Sequence, residues 1–396
     1  MNGLKIIRIK LEKSEFIPYG RQDISEEDIK AVAKILRSDF ITQGSSVPMF
    51  EQKLCDYTGV EYAIAVNSGT SALHIACLAL NLGPGDILWT SPISFVASAN
   101  CGLYCGASVD FVDVDPNTAL MSVKALESKL EQAKQQSKLP KILIPVHFAG
   151  QSCDMKAISK LGEKYNFRII EDAAHAIGSS YLNKNVGSCQ YSDITVFSFH
   201  PVKIITTGEG GAALTSSTEL AEKMRLLRSH GITRDSEKMI NPKERDWYYE
   251  QISLGFNYRM SDIQAALGIS QLSRLDEYVA KRSEIAHWYN DRFKDVPVDS
   301  LAQEENGESS HHLYVIRVKG GEDKRDKLYD YLKKNDISVN LHYFPIYKQP
   351  FFDTKIKLIG AEAYYKSAIS LPIFPTIGKN NLKKVMQKFS EFYEHY

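Results

Sequence analysis

Apolar and polar positions follow two alternating rhythms along the chain. Ser25 stands before Glu26, Glu27 and Asp28 as a helix N-cap with an acidic first turn, and Ile29, Val32, Ala33 and Leu36 then share one helical face. Short apolar runs predict strands at Tyr62–Val66, Ile87–Thr90, Val109–Val112, Ile142–Val146, Arg168–Glu171, Ile194–Phe199 and Gly211–Leu214. Asn67-Ser68-Gly69-Thr70-Ser71 opens a helix with Leu73, Ala76, Cys77 and Leu80 inward, and Gly83-Pro84-Gly85 closes it. Further helical patterns cover Val123–Lys134 and Met155–Tyr165. Strands alternating with helices predict an α/β fold with a mostly parallel sheet covered on both faces.

The pattern changes after about Leu220. Ser261 opens a long helical stretch reaching about Arg292, with Ile263, Ala266, Leu267 and Leu272 as core candidates, and Gln303–Ser310 is polar and loop-like. A strand (Leu313–Val318), a helix (Lys324–Asn335), a strand (Ile337–His342) and a terminal helix (Asn381–Tyr393) then compose a small C-terminal α+β unit.

Composition narrows the function classes. The 396 residues hold 48 Lys plus Arg against 48 Asp plus Glu, a balance that argues against a nucleic-acid binder. No apolar run reaches the roughly 18–20 residues that span a bilayer. Met1–Lys13 alternates Ile and Leu with Lys and Arg and lacks the apolar core of a secretory signal, so a cytoplasmic protein without membrane contact is expected. The six cysteines are scattered with no zinc spacing, which predicts reduced, buried thiols and no metal.

Four stretches carry candidate chemistry. Lys203, in Ser198-Phe199-His200-Pro201-Val202-Lys203, follows a buried strand and precedes a Gly-rich return, so it is either a solvated loop lysine or a Schiff-base nucleophile. Asp172 sits at the carboxyl end of a strand, where open sheets bind ligands. It is a helix cap, a structural ion-pair partner or the acid that keeps a pyridine nitrogen protonated. His175 is a packed core histidine or a residue that packs beside such a ring and hydrogen-bonds its phenolic oxygen. Ser68-Gly69-Thr70-Ser71 at a helix start suits a phosphate, or is a plain cap, with Ser198 near enough to add a hydroxyl. Phe95 is a core aromatic or a stacking surface. GxGxxG after a strand and GxxxxGK[ST] are both absent, which argues against dinucleotide and triphosphatase sites.

Taken in order, Asn67–Leu73, Glu171–His175, Ser198–Lys203 and Gly255-Phe256-Asn257-Tyr258-Arg259-Met260 resemble the DegT/DnrJ/EryC1/StrS sugar-nucleotide aminotransferases, fold-type I pyridoxal phosphate enzymes, from about Phe16 to the C-terminus. Thr90–Asn100, Pro145–Met155, Trp247–Tyr258 and Leu341–Tyr347 narrow the resemblance to a branch of pseudaminic acid biosynthesis. That branch moves the amino group of L-glutamate to C4 of a UDP-linked 4-keto sugar and gives UDP-4-amino-4,6-dideoxy-N-acetyl-β-L-altrosamine. Amino transfer to another 4-keto or 3-keto UDP or dTDP sugar, and a non-catalytic protein on the same fold, remain the alternatives.

The resemblance implies an N-terminal extension (1–15), a large cofactor domain (16–260) and a linking helix with a small C-terminal domain (261–396). It implies pyridoxal 5′-phosphate as cofactor, with pyridoxamine 5′-phosphate as the aminated form. Lys203 would carry the Schiff base, Asp172 would pair with the pyridine nitrogen, and Gly69, Thr70 and Ser198 would hold the phosphate. His175 and Phe95 would line the ring. Asn257 would reach the phosphate of a neighbouring subunit, so the sites would be shared in a homodimer. Arg259, Tyr19, Asp39, Phe40, Ile41, Thr42, Ser71, His342, Tyr343, Phe344 and Pro345 match positions that hold the substrate. Tyr19 and Tyr343 as packing aromatics, and Asp39–Thr42 as a turn, stay open beside that reading. A dehydratase branch of the family has histidine in place of the lysine; Lys203 argues for amino transfer.

Overall fold

The computed structural model describes residues 16–243, 245–352 and 354–395. The expected extension, 1–15, lies outside them. Seven strands form the central sheet: β1 (Tyr62–Val66), β2 (Ile87–Thr90), β3 (Ser108–Phe111), β4 (Ile142–Ile144), β5 (Arg168–Asp172), β6 (Ile194–Ser198) and β7 (Gly211–Thr215). Their spatial order is β1-β7-β6-β5-β4-β2-β3. Strands β2 to β6 pair in parallel, and β7 runs antiparallel to both β1 and β6. The fold is α/β, the fold-type I arrangement expected. The parallel strands bring their carboxyl ends to one edge, where Asp172 pairs with Val196 and Ser198 ends its strand two residues further on.

Helices α1 (Glu26–Leu36), α2 (Ser46–Thr58), α3 (Gly69–Ala79), α4 (Ala97–Tyr104), α5 (Val123–Gln135), α6 (Met155–Tyr165) and α7 (Thr218–Arg228) surround this sheet. Apolar cores fill both faces, one with Ile64, Ile142 and Ile170, the other with Phe197, Phe199 and Leu214. On α1 the buried residue is Asp28, while Ile29 and Leu36 stay exposed. Asp28 is drawn inward by Arg274 (2.5 Å) and Gln271 (2.7 Å), and this polar anchor overrides the apolar face.

The long C-terminal stretch is two helices, α8 (Asp262–Leu272) and α9 (Leu275–Arg292). Arg274 leaves the helical path at the break to pair with Asp23 and Asp28. Of the expected core positions on α8 only Ala266 is buried; Asp262, Ala265, Gly268 and Gln271 form the packed face with it. Asp262 accepts the Gly44 and Ser46 N–H groups at the start of α2, and a Cβ on Gly268 would meet the Phe50 ring at 2.8 Å. Close helix approach selects small residues here, where periodicity alone picks large ones.

The C-terminal sheet is β8 (Val298–Ser300), β9 (Tyr314–Val318) and β10 (Ala368–Leu371), in the order β8-β9-β10. Helices α10 (Glu322–Lys334) and α12 (Lys379–His395) pack with it, α11 (Ile359–Tyr365) precedes β10, and Ile17 joins this core from the other end of the chain. The strand expected at Ile337–His342 is absent: the segment makes only single bridges, Ile337 with Ile17 and Asn340 with Ser370. Backbone bonds at Ser338 and Asn340 tether it, and Tyr364 Oη donates to the His342 carbonyl at 2.6 Å. Within the polar loop, Gly307–Glu308 pairs with Ser180–Tyr181.

Candidate active site

A cavity of about 630 Å³ opens at the carboxyl edge of the parallel strands, under the His342 segment. Tyr19, Gly69, Thr70, Phe95, Asp172, His175, Ser198, Lys203, His342 and Tyr343 all line it. Ten of the expected site residues, from six segments of sequence, thus share one cavity.

One end is an anion cradle. Ser68 caps α3 by accepting the Ser71 N–H at 3.1 Å, and the N–H groups of the first turn have no helical partner. A Cβ on Gly69 would lie 3.0 Å from Ser198 Cβ, and one on Gly211 would lie 2.5 Å from the Ser68 carbonyl. Glycine at these two points lets the helix start, β6 and β7 close to backbone contact, which leaves a small concave cradle with the Ser198 hydroxyl beside it.

Asp172 is fixed at the centre. Its Oδ1 accepts the Ala174 N–H at 3.1 Å and its Oδ2 accepts the Ser98 hydroxyl at 2.6 Å. The neighbouring Glu171 points the other way, where His147, Thr195 and Ser192 bind its carboxylate and pin the strand end. Lys203 follows β6 in a turn closed by its own N–H to the His200 carbonyl at 2.8 Å. Burial pushes its ammonium down to about 8, although the Asp172 charge pulls the other way. A neutral amine is therefore well populated near neutral pH.

Three imidazoles form the opposite wall. The His175 Nδ1 accepts the Ala149 N–H (3.4 Å), so its proton sits on Nε2 and is directed at Tyr343 Oη, 3.2 Å away. Both nitrogens are thus engaged by protein, and His175 offers the cavity its ring rather than a free N–H. His312 packs 4.4 Å from it, ring centre to ring centre, and its buried Nδ1 has no hydrogen-bond partner. His342 stands between Asn340 and Ser370 and near the Tyr19 ring. Burial and the Lys203 charge push His175 well down and His342 to about 3, and burial with the neighbouring His175 and Lys203 does the same for His312.

The remaining expected residues lie away from the cavity of their own chain. Ser71 turns inward, its hydroxyl donating to Asn67 Oδ1 at 2.7 Å. Phe40 and Ile41 are exposed, as are Asp39 and Thr42. Asn257 is exposed, Arg259 is half-buried beside Val66, Phe344 packs on Tyr365, and Pro345 is buried below the cavity wall. Sequence reasoning missed Ser94, Ser98, His312 and Asn340, all on the cavity wall. Ser98 reads as an ordinary helix residue and His312 as a histidine heading a strand, so neither carried a local signal.

The set suits pyridoxal phosphate: a Cβ-free cradle beside a hydroxyl, an amine with a lowered pKa, an anchored carboxylate, an exposed aromatic face at Phe95 and an unpartnered imidazole nitrogen at His312. Fold and site together define a pyridoxal-phosphate-dependent transferase of fold type I.

The family model of the DegT/DnrJ/EryC1/StrS aminotransferases matches residues 22–390, and the chain belongs to that family. It is 39% identical over 374 residues to the UDP-4-amino-4,6-dideoxy-N-acetyl-beta-L-altrosamine transaminase of Campylobacter jejuni, covering 93% of this chain and 95% of that one. It is 34% identical over 385 residues to the spore coat polysaccharide biosynthesis protein SpsC of Bacillus subtilis, with 95% and 97% covered. Among solved structures it superposes on PseC of Helicobacter pylori, an aminotransferase of pseudoaminic acid biosynthesis, with a TM-score of 0.87 at 34% identity over 96% of this chain and 100% of that one. The pyridoxal phosphate form of the sugar aminotransferase Spr1654 from Streptococcus pneumoniae gives 0.85 at 29% identity, with 96% and 99% covered. The protein is a pyridoxal-phosphate-dependent transaminase. Among the described residues, no helix is long and apolar enough to cross a membrane, and no cluster of His, Cys, Asp and Glu suits a metal ion.

Proposed function

We propose that the enzyme is a sugar-nucleotide transaminase that moves the amino group of L-glutamate to C4 of a UDP-linked 4-keto-6-deoxy-N-acetylhexosamine, giving UDP-4-amino-4,6-dideoxy-N-acetyl-β-L-altrosamine. The observation that carries the reaction class is Lys203: a buried amine with its pKa lowered to about 8, facing an anchored carboxylate above an anion cradle. The named activity of the Campylobacter relative and the PseC likeness support the substrate. This reading divides the chain at about residue 260 into a cofactor domain and a covering domain.

Gly69, Thr70 and Ser198 would hold the cofactor phosphate, Asp172 its ring nitrogen, and Phe95 and His175 its ring. Bound there, pyridoxal phosphate supplies an electron sink for the bonds at the amino carbon. Lys203 Nζ, in its neutral form, takes the proton from Cα of glutamate. In the second half-reaction it delivers a proton to C4 of the sugar, and 2-oxoglutarate has by then left. Asp172 keeps its carboxylate toward the cavity, held by the Ser98 hydroxyl and the Ala174 N–H. The His342 segment and Tyr19 wall the cavity on the side opposite the cradle, leaving it open to the one water that each half-reaction exchanges.

Among the described residues, Lys203 is the only Lys or Arg on this cavity wall, so they offer little positive charge to a sugar diphosphate. Asn257 and Arg259, outside their own cavity, would complete the site of a partner in a homodimer. A panel of 4-keto and 3-keto UDP and dTDP sugars, assayed for 2-oxoglutarate release from glutamate, tests the substrate. The UDP-linked 4-keto sugar is expected to react fastest, and a preference for a 3-keto or dTDP sugar would reject the assignment.

A further inference from the structure

The Asp172 carboxylate is held by a chain of hydroxyls that starts in the loop before α4. Ser98 Oγ lies 2.6 Å from Asp172 Oδ2, and Ser94 Oγ lies 2.7 Å from Ser98 Oγ. All three residues are buried, at 5% exposure or less, and all three line the cavity. An ionised carboxylate only accepts, so the proton on this contact belongs to Ser98. Ser98 has one proton. The alternative acceptor, the Phe95 carbonyl, is 3.3 Å away and uncharged, so the carboxylate takes it. The Ser98 oxygen is then an acceptor, and the Ser94 proton points at it. Direction is fixed along the whole chain: Ser94 to Ser98 to Asp172.

The second torsion of an aspartate side chain is soft, with a broad two-fold profile. The Ala174 N–H holds one oxygen. Ser98 holds the other, which fixes the plane of the carboxylate. Lys203 and Tyr343 feel the Asp172 charge directly, and Tyr19, His175, His200, Glu209, His312 and His342 are the other titratable groups on the cavity wall.

We propose that Ser98, backed by Ser94, is a positioning residue that sets the orientation of the Asp172 carboxylate toward the cofactor ring. It acts through Asp172 and transfers no proton itself. The proposal rests on the pyridoxal phosphate reading above and adds a role that the sequence motifs do not carry.

The test uses the full-length chain stripped of cofactor. Pyridoxamine phosphate binds without a covalent bond to Lys203, so its dissociation constant, read by fluorescence titration, reports the non-covalent contacts, that of Asp172 among them. Removing one charge-assisted hydrogen bond predicts about 10-fold weaker binding in Ser98→Ala. It also predicts a displaced pH midpoint for the visible band of bound pyridoxal phosphate. Ser98→Thr keeps the hydroxyl and is expected within about 3-fold of wild type on the same reasoning. Ser94→Ala is expected between the two, and carries the test if Ser98→Ala fails to fold by circular dichroism. Folded Ser98→Ala with wild-type affinity and pH midpoint would overturn the proposal, as would equal losses in the Ala and Thr variants, which would indicate packing. Wild-type chain that binds neither form of the cofactor would instead reject the functional reading itself.

Discussion

The lowered pKa of Lys203 makes a quantitative prediction about cofactor capture. Only the neutral amine attacks the aldehyde of pyridoxal phosphate. With a pKa of about 8, about a quarter of Lys203 is neutral at pH 7.5, against about one part in a thousand for an ordinary lysine near 10.5. The structure thus predicts an advantage of about two hundred-fold from protonation state alone. The assay is the rate at which the visible band forms when pyridoxal phosphate is mixed with stripped enzyme, from pH 6 to 11, divided by the rate for Nα-acetyl-lysine at each pH. That ratio removes titration of the cofactor, and it should fall away above a midpoint of about 8 as the free amine catches up. Asp172 is the one charge that pulls Lys203 back up, so Asp172→Asn should move the midpoint to lower pH even as it weakens cofactor binding and abolishes turnover. A midpoint near 10.5, or an upward move in Asp172→Asn, would refute the burial argument.

Other consequences are independent of that one. His175, His312 and His342 have folded pKa values below their unfolded values. Their contribution to stability is therefore complete above about 6.5 and is lost as pH falls toward the folded value, about 3 for His342; melting temperatures of the stripped enzyme should drop through that window, and a flat profile would count against three buried neutral imidazoles. Gly69→Ala places a methyl 3.0 Å from Ser198 Cβ and should weaken phosphate binding about 10-fold, with the stripped protein still folded. Arg282 donates to the carbonyls of His311, His312 and Ile373, so Arg282→Met should cost about 3 kcal/mol in urea unfolding and loosen His312; a loss below about 1 kcal/mol would show that water replaces it. If Asn257 serves the neighbour, mixing inactive Lys203→Ala with Asn257→Ala subunits should restore about a quarter of wild-type activity, because half of the dimers would carry one intact site of two. No recovery after subunit exchange would mean that Asn257 serves its own chain or none.

The strands were legible because each is a short apolar run closed by a turn, and fully buried parallel strands tolerate little else. Lys203, Asp172 and the Gly69 cradle were legible for a related reason: their chemistry sits at strand ends and a helix start, where sequence and geometry coincide. Three features were hidden by distance along the chain. Asp28 and Asp262 are buried because partners more than two hundred residues away meet them. The His342 segment reads as a strand, yet Tyr364 and Ser370 hold it as a cavity wall. Ser98 matters only because its hydroxyl meets Asp172, 74 residues further along the chain. Residues beyond their own cavity, such as Asn257 and Arg259, were read from motif alone, and one chain cannot close a site that two would share.

The central claim is amino transfer from glutamate to a UDP-linked 4-keto sugar through Lys203. Nitrogen-labelled glutamate, the UDP-linked 4-keto-6-deoxy-N-acetylhexosamine and the enzyme with its cofactor test it in one reaction followed by mass spectrometry and NMR. The account predicts labelled nitrogen on C4 of the sugar nucleotide with the wild type and none with Lys203→Ala. Unlabelled sugar with the wild type, or equal labelling in the two proteins, would contradict it.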